Sequence, residues 1–154
     1  MKQILAFNIL RSRKILLFVF CLSFFISCSS ATIITGSTLV KDMNGIKARL
    51  ESDINYAYEL KERRVGKTGY YYILSRSGVV VFHPRAVLIG SRMNNLGFVR
   101  EVLQKESGCL SYGVEDKRLL IFFTPLGSEN ILCLSIPESE VTEQVGVCES
   151  LSLE

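Results

Sequence analysis

The stretch Gly66–Pro84 constrains the fold more than any other part of this chain. Two runs rich in aromatic and β-branched residues, Tyr70–Leu74 and Val79–His83, flank the connector Ser75-Arg-Ser-Gly78. Such runs suit a pleated, half-buried surface, and a connector glycine accepts the positive φ of a tight turn. Pro84 has no amide hydrogen to add to a ladder, so it marks where the second run stops. The prediction is a β-hairpin at the centre of an antiparallel sheet. Side chains alternate along a strand, so Tyr70 and Tyr72 share one face and Tyr71 takes the other.

Upstream, Leu39, Met43, Ile46, Leu50, Ile54, Ala57 and Leu60 recur at intervals of three and four. That spacing predicts one amphipathic helix from about residue 38 to 64, capped by Ser37 or Thr38. Lys47 with Glu51, Arg49 with Asp53 and Glu59 with Arg63 are four apart on its outer surface. Such a helix spans ~40 Å at 1.5 Å per residue, more than a small sheet covers. Two arrangements are open. Either its first half projects as a stalk that pairs with a second copy, giving a homodimer through the helix 38–64, or the whole helix lies on its own sheet.

Downstream of the hairpin, residues 85–95 read as a loop. Phe98, Val99, Val102 and Leu103 then fall on one side of a short helix that ends near Gly108. Cys109–Tyr112 and Leu119–Phe123 form a second hairpin around the charged turn Glu115-Asp-Lys-Arg118. Pro125 and Gly127 end its second strand, and Ile131–Ile136 is the last strand. The layout is α+β, a long helix on a five-stranded antiparallel sheet.

The N-terminal part is of another kind. Residues 1–14 carry Lys2, Arg11, Arg13 and Lys14, and 15–36 is apolar or small, with no charge before Lys41. A basic flank ahead of an apolar segment keeps the N-terminus in the cytoplasm and sends the rest outward. Three readings of 15–36 are open: a transmembrane signal anchor, a lipoprotein signal with lipidation at Cys28, or a cleaved signal. All three leave residues 37–141 outside the cytoplasmic membrane, as a single-pass or lipid-anchored protein with its domain facing the periplasm or exterior. Residues 142–154 read as a polar tail with no second membrane helix.

The motifs, taken in order, resemble the Cache domain. They are Gly66-Lys-Thr-Gly-Tyr70, the two strands ending in His83-Pro84, Leu88-Ile-Gly-Ser-Arg92, Gly97-Phe-Val-Arg-Glu-Val-Leu103, Gly108-Cys-Leu-Ser-Tyr112, Leu119–Phe123 and Ile136-Pro-Glu-Ser-Glu-Val141. Cache domains are PAS-like extracytoplasmic sensor modules of chemotaxis receptors and sensor kinases, and the likeness covers residues 38–141. It implies a ligand-sensing domain rather than an enzyme, one that needs no cofactor. It also implies a separate signalling partner, or descent from a truncated chemoreceptor, because the second membrane helix and signalling domain are missing. The alternative is a structural or protein-interaction lipoprotein with no small-molecule ligand.

The candidate ligand residues follow from side-chain chemistry. Small-ligand pockets combine apolar walls with a few placed polar groups, and tyrosine supplies both. Tyr70, Tyr72 and Tyr112, with Arg92 or Arg118 for charge, suit a small carboxylate or amino acid. His83 joins them because the resemblance sets its His-Pro pair near the pocket mouth. The competing reading is that these rings are sheet core. His83 is the single histidine, and with scattered cysteines it makes no recognisable metal set. Gly66-Lys67-Thr68 lacks the upstream glycine of a phosphate loop and precedes a strand. Four of the eighteen basic residues lie in residues 1–14, whereas all fifteen acidic residues follow Lys41. From Gly36 onward acids outnumber bases by one, which excludes a nucleic-acid surface. Beyond Cys21 and Cys28, a Cys109–Cys133 disulfide between strands is open, but an odd count favours Cys109, Cys133 and Cys148 as buried thiols.

Overall fold

The computed structural model describes residues 34–142 apart from Glu115, together with Cys148. Residues 1–33, with Cys28 and nearly all of the expected membrane segment, lie outside the described residues, as does the tail apart from Thr142 and Cys148. No helix among the described residues is long and apolar enough to cross a membrane.

Helix α1 spans Gly36–Ser52. Its cap is Thr35 rather than Ser37 or Thr38. Thr38 N donates to Thr35 Oγ1 at 3.3 Å and Thr35 N donates to Thr38 Oγ1 at 3.0 Å, so each side chain satisfies the other residue's free backbone amide at the helix start. The expected stripe residues Leu39, Met43, Ile46 and Leu50 are buried. The helix then stops. Asp53 is extended, with φ −147° and ψ 105°, and its carboxylate accepts from Asn55 N to start a separate 3-10 helix, Ile54–Lys61.

That second helix runs back along the first. Arg49 donates to the Tyr56 hydroxyl at 3.3 Å and lies over its ring, while Arg63 forms an ion pair with Asp42. The single 38–64 helix, and the projecting stalk on which the expected pairing of two copies rests, is therefore replaced by a helical hairpin. Ala57 and Leu60 continue the stripe because both pieces bury apolar residues on one sheet face, but Ile54 is 56% exposed. Of the expected surface pairs, Lys47–Glu51 forms at 3.9 Å, and Arg63 turns to Asp42 instead of Glu59.

Five strands follow: β1 (Tyr70–Ser75), β2 (Val80–Phe82), β3 (Gly108–Val114), β4 (Lys117–Leu126) and β5 (Asn130–Pro137). They form one antiparallel sheet in the order β2-β1-β5-β4-β3. The tyrosine hairpin thus lies at one margin, and the centre belongs to β5, whose residues Ile131–Ile136 are all buried. Gly78, at φ 77°, closes the β1–β2 turn, and a side chain there would strike Asn94. Strand β4 continues through Pro125, where a break is expected. β3 begins, at Gly108, opposite Phe123, so Pro125 lies beyond that pairing, where β4 keeps a partner on one side only.

Period-two alternation gives the sheet two apolar faces. The near face carries Tyr71, Ile73, Leu120, Phe122, Leu132, Leu134 and Ile136 under the helical hairpin. The far face carries Tyr72, Leu74, Ile121, Phe123, Ile131 and Cys133, together with Val99 and Val102 of helix α2 (Gly97–Gln104). Cys109 and Cys148 depart from both expectations, and Cys133 is buried and unpaired as expected. Cys109 is joined to Cys148, with Cα atoms 4.7 Å apart, and Cys133 is the buried free thiol, its pKa pushed up to about 12 by burial.

Candidate functional site

Three of the six expected ligand residues come together. Tyr70 and Tyr72 share the far face of β1, and His83 follows β2 beside them. The imidazole stands edge-on to Tyr70 at 5.1 Å between ring centroids and 5.8 Å from Tyr72. Tyr72 is buried in the far core against Cys133, which bears out for it the reading as sheet core. Tyr71 is buried too, on the near face, where its hydroxyl donates to Asp42 Oδ2 at 2.7 Å. Only Tyr70 remains half-buried at the margin.

The other three disperse. Tyr112 packs on Phe98 at 4.9 Å on β3, the opposite edge of the sheet. Three strand spacings separate it from β1, ~14 Å. Arg118 shares the parity of Leu120 and Phe122, hence the near face. It pairs with Glu138 at 3.2 Å and donates to Ser111 at 2.9 Å. Arg92 stands exposed at a bridge to Val79. Neither Arg92 nor Arg118 lies beside Tyr70 and His83.

The cations that do meet Tyr70 and His83 are Arg64, Lys67 and Arg85. Together with Thr68 and Pro84 these residues line a cleft of about 240 Å³. Strand direction explains the meeting. Because β1 and β2 are antiparallel, the residues before β1 and those after β2 emerge at the same end of the sheet. Val65 and Gly69 exchange two backbone hydrogen bonds of 2.9 Å, which fold Gly66–Thr68 into a tight loop. Glu140 holds that loop, accepting from Lys67 N at 2.6 Å, Thr68 N at 3.3 Å and Thr68 Oγ1 at 2.7 Å. Burial pushes the Glu140 carboxyl up, but these bonds and the charge of Lys67 outweigh it and hold it below its ordinary value. Gly66, at φ 64°, is required there, because a Cβ would collide with Glu140 Oε2 and Ile34 Cδ1.

On the other wall, His83 Nδ1 accepts from Arg85 N at 2.9 Å, which leaves the ring hydrogen on Nε2. Burial, then the charge of Arg85, lowers the imidazole pKa, so the ring is neutral at pH 7. Among the described residues, no carboxylate comes within ion-pair distance of the Arg64, Lys67 or Arg85 side chains. No group of three or more His, Cys, Asp or Glu among them is placed to hold a metal.

No family model matches the sequence, and no curated protein is similar to it. Solved structures are. A Cache chemosensory domain studied for carboxylic acid recognition superposes with a TM-score of 0.52 at 18% identity, over 66% of this chain and 89% of that one. The periplasmic sensor domain of a chemotaxis protein gives 0.52 at 17%, over 66% and 92%. The ligand-binding domain of Mlp24 with asparagine gives 0.47 at 25% identity over 56% of this chain, which spans only 35% of that structure. With its helices on a five-stranded antiparallel sheet in the order β2-β1-β5-β4-β3, and superposition over 66% of its length on these two structures, the chain has the Cache fold.

Proposed function

We propose that this protein is an outward-facing ligand-sensing module of the Cache type. Residues 1–14 lie in the cytoplasm, 15–36 hold it in the membrane as an anchor or through lipid on Cys28, 37–141 form the sensor, and 142–154 form a tail. One observation carries the ligand-sensing reading: three cations with no carboxylate in ion-pair distance among the described residues, Arg64, Lys67 and Arg85, converge with Tyr70 and His83 on one cleft. A small carboxylate or an amino acid, through its carboxylate, matches that charge. Two further points support the outward placement. The sequence has the basic-then-apolar order that directs the domain across the membrane, and a Cys109–Cys148 disulfide persists in oxidising compartments.

Binding would change the output by favouring one arrangement of the helical hairpin over another, which requires different affinities for the two. A separate signalling protein reads the change. Close packing of the far face, with Val99, Val102 and Phe123 fully buried, favours a second reading in which the protein is an interaction module with no small-molecule ligand.

Thermal melting of the full chain against a broad panel of small acids and amino acids decides between them. A ligand at a hundred times its Kd stabilises by about 2.7 kcal/mol, a plain rise in midpoint. A flat response across the panel ends the sensing reading. Topology has its own test. Alkaline phosphatase fused after Glu154 is active if the domain lies outside, and an inactive fusion refutes the placement.

A further inference from the structure

We propose that the cleft between Gly66–Thr68 and His83–Arg85 selects a small dianionic oxyanion, a dicarboxylate or a phosphate, and turns away zwitterionic amino acids. This rests on the sensing reading above and narrows its ligand class. The lining is almost entirely donors. Arg64, Lys67 and Arg85 bring cationic N–H groups, His83 presents its Nε2–H, and Tyr70 a hydroxyl. Thr68 spends its hydroxyl hydrogen on Glu140 Oε1, so its oxygen and that of Tyr70 are the neutral side-chain acceptors of the lining. A ligand whose oxygens only accept satisfies this set, and hydrogen bonds from charged donors to charged acceptors are the stronger kind.

An amino acid brings an ammonium group as well. It needs an anionic or acceptor partner, and no Asp or Glu lines the cleft. Glu140 stands behind the loop, but both its oxygens are engaged by Lys67 and Thr68. The charged side chains that an ammonium would meet in the cleft, Arg64, Lys67 and Arg85, all carry its own sign, and the Thr68 and Tyr70 oxygens offer it only neutral acceptors. The volume of about 240 Å³ lies below the ~300–1,000 Å³ of sites for drug-sized ligands, which fits a compact anion.

Position gives the site a path to the rest of the domain. A Cβ at Gly66 would strike Ile34 and Glu140, so the loop lies close against both, and Thr142 N donates to the Ile34 carbonyl at 2.9 Å. A dianion bridging Lys67 and Arg85 ties the loop on Glu140 to the turn after β2. It therefore acts at the end where residue 34 enters the domain and residue 142 leaves it.

Calorimetric titration of the full chain with succinate, inorganic phosphate, acetate and alanine tests this. Succinate or phosphate, or both, should bind at least about tenfold tighter than acetate and alanine, and their ranking tells the two sources apart. Lys67→Gln and Arg85→Gln should each weaken the dianion about tenfold, whereas Arg76→Gln, at the far turn, should leave it unchanged. Because a variant can lose its fold, the unmutated chain supplies a second measure: affinity for the dianion falls as salt rises. Alanine binding as tightly as succinate, or a salt-independent affinity, overturns the inference and leaves the sensing reading standing. Silence from all four compounds while the wider melting panel responds does the same. Silence in both removes the sensing reading as well.

Discussion

The two faces of the sheet are closed by different means. Over the near face lies a hairpin of two helices that buries Leu39, Met43, Ile46, Leu50, Ala57 and Leu60. Its polar groups are few: Asp42 accepts from both Arg63 Nη2 and the Tyr71 hydroxyl, while Arg63 Nε is buried with no hydrogen-bond partner among the described residues. The far face is covered by the eight residues of α2 and the segment before it, which bury Tyr72, Leu74 and Val80, and the cleft forms at the end of the margin where β1 starts and β2 stops. A long cover makes a core, while a short one leaves an edge at which polar side chains can meet a ligand. Stability should therefore reside on the near face and recognition at the far margin.

The largest expected break in that contrast is Phe122→Ala, which removes a ring fully buried on the near face. It should cost about 3–5 kcal/mol in denaturant unfolding, whereas Tyr70→Ala at the margin should cost less than half of that. Equal losses would mean that the two faces share one core. Next comes Cys109→Ala, which releases the cross-link to Cys148 over a separation of 39 residues. Loss of a loop closure of that length should lower stability by about 2–4 kcal/mol, and the same drop should follow when the unmutated chain is reduced. Tyr71→Phe is smaller, about 1 kcal/mol, since Asp42 is partly exposed and water replaces the lost donor.

Much of this division can be read from the residues, and the exceptions have physical causes. The alternation of Tyr70, Tyr71 and Tyr72 places them correctly, because period two is a property of the strand itself. The stripe Leu39–Leu50 predicts the buried side of α1 for the same kind of reason. The reversal at Asp53 stays hidden because Ala57 and Leu60 face the same sheet on the way back and keep the spacing going. A cue was present: Asp53, two residues before the Asn55 amide it accepts from, is a strong helix-starting residue in mid-stripe.

The site divides similarly. Tyr70, Tyr72 and His83 gather because one hairpin carries all three. Arg92, Tyr112 and Arg118 depend on which strands become neighbours and which face each parity takes, and a single strand's pattern says nothing about either. Arg64, Lys67 and Arg85 were within reach of sequence reasoning. An antiparallel hairpin brings the residues before its first strand beside those after its second, so Lys67 and Arg85 follow from the hairpin alone. Cys148 gives no such signal, because no periodicity links a tail residue to the start of β3.

The smallest expected effect concerns pH. His83 has an imidazole pKa below its ordinary 6.5 in the folded protein, first through burial and then through Arg85. Between those two values the unfolded chain binds the proton and the folded one does not. Stability is thus fully present above 6.5 and declines as pH falls through the window below it. Melting midpoints recorded down from pH 7 should show this decline, and His83→Gln should remove that part of it. A midpoint unchanged by the substitution across the window would place His83 in a more watery setting than the margin described above.

The hydrogen bond from Thr142 N to the Ile34 carbonyl has a practical consequence. Splicing residue 142 to residue 34 through a short glycine linker, and cutting the chain at the exposed Gly127 turn, would yield a circular permutant with its strand order intact but without Cys148 and its cross-link to Cys109. In that permutant the entry and exit segments no longer lead anywhere, so ligand affinity can be measured free of whatever those segments are attached to.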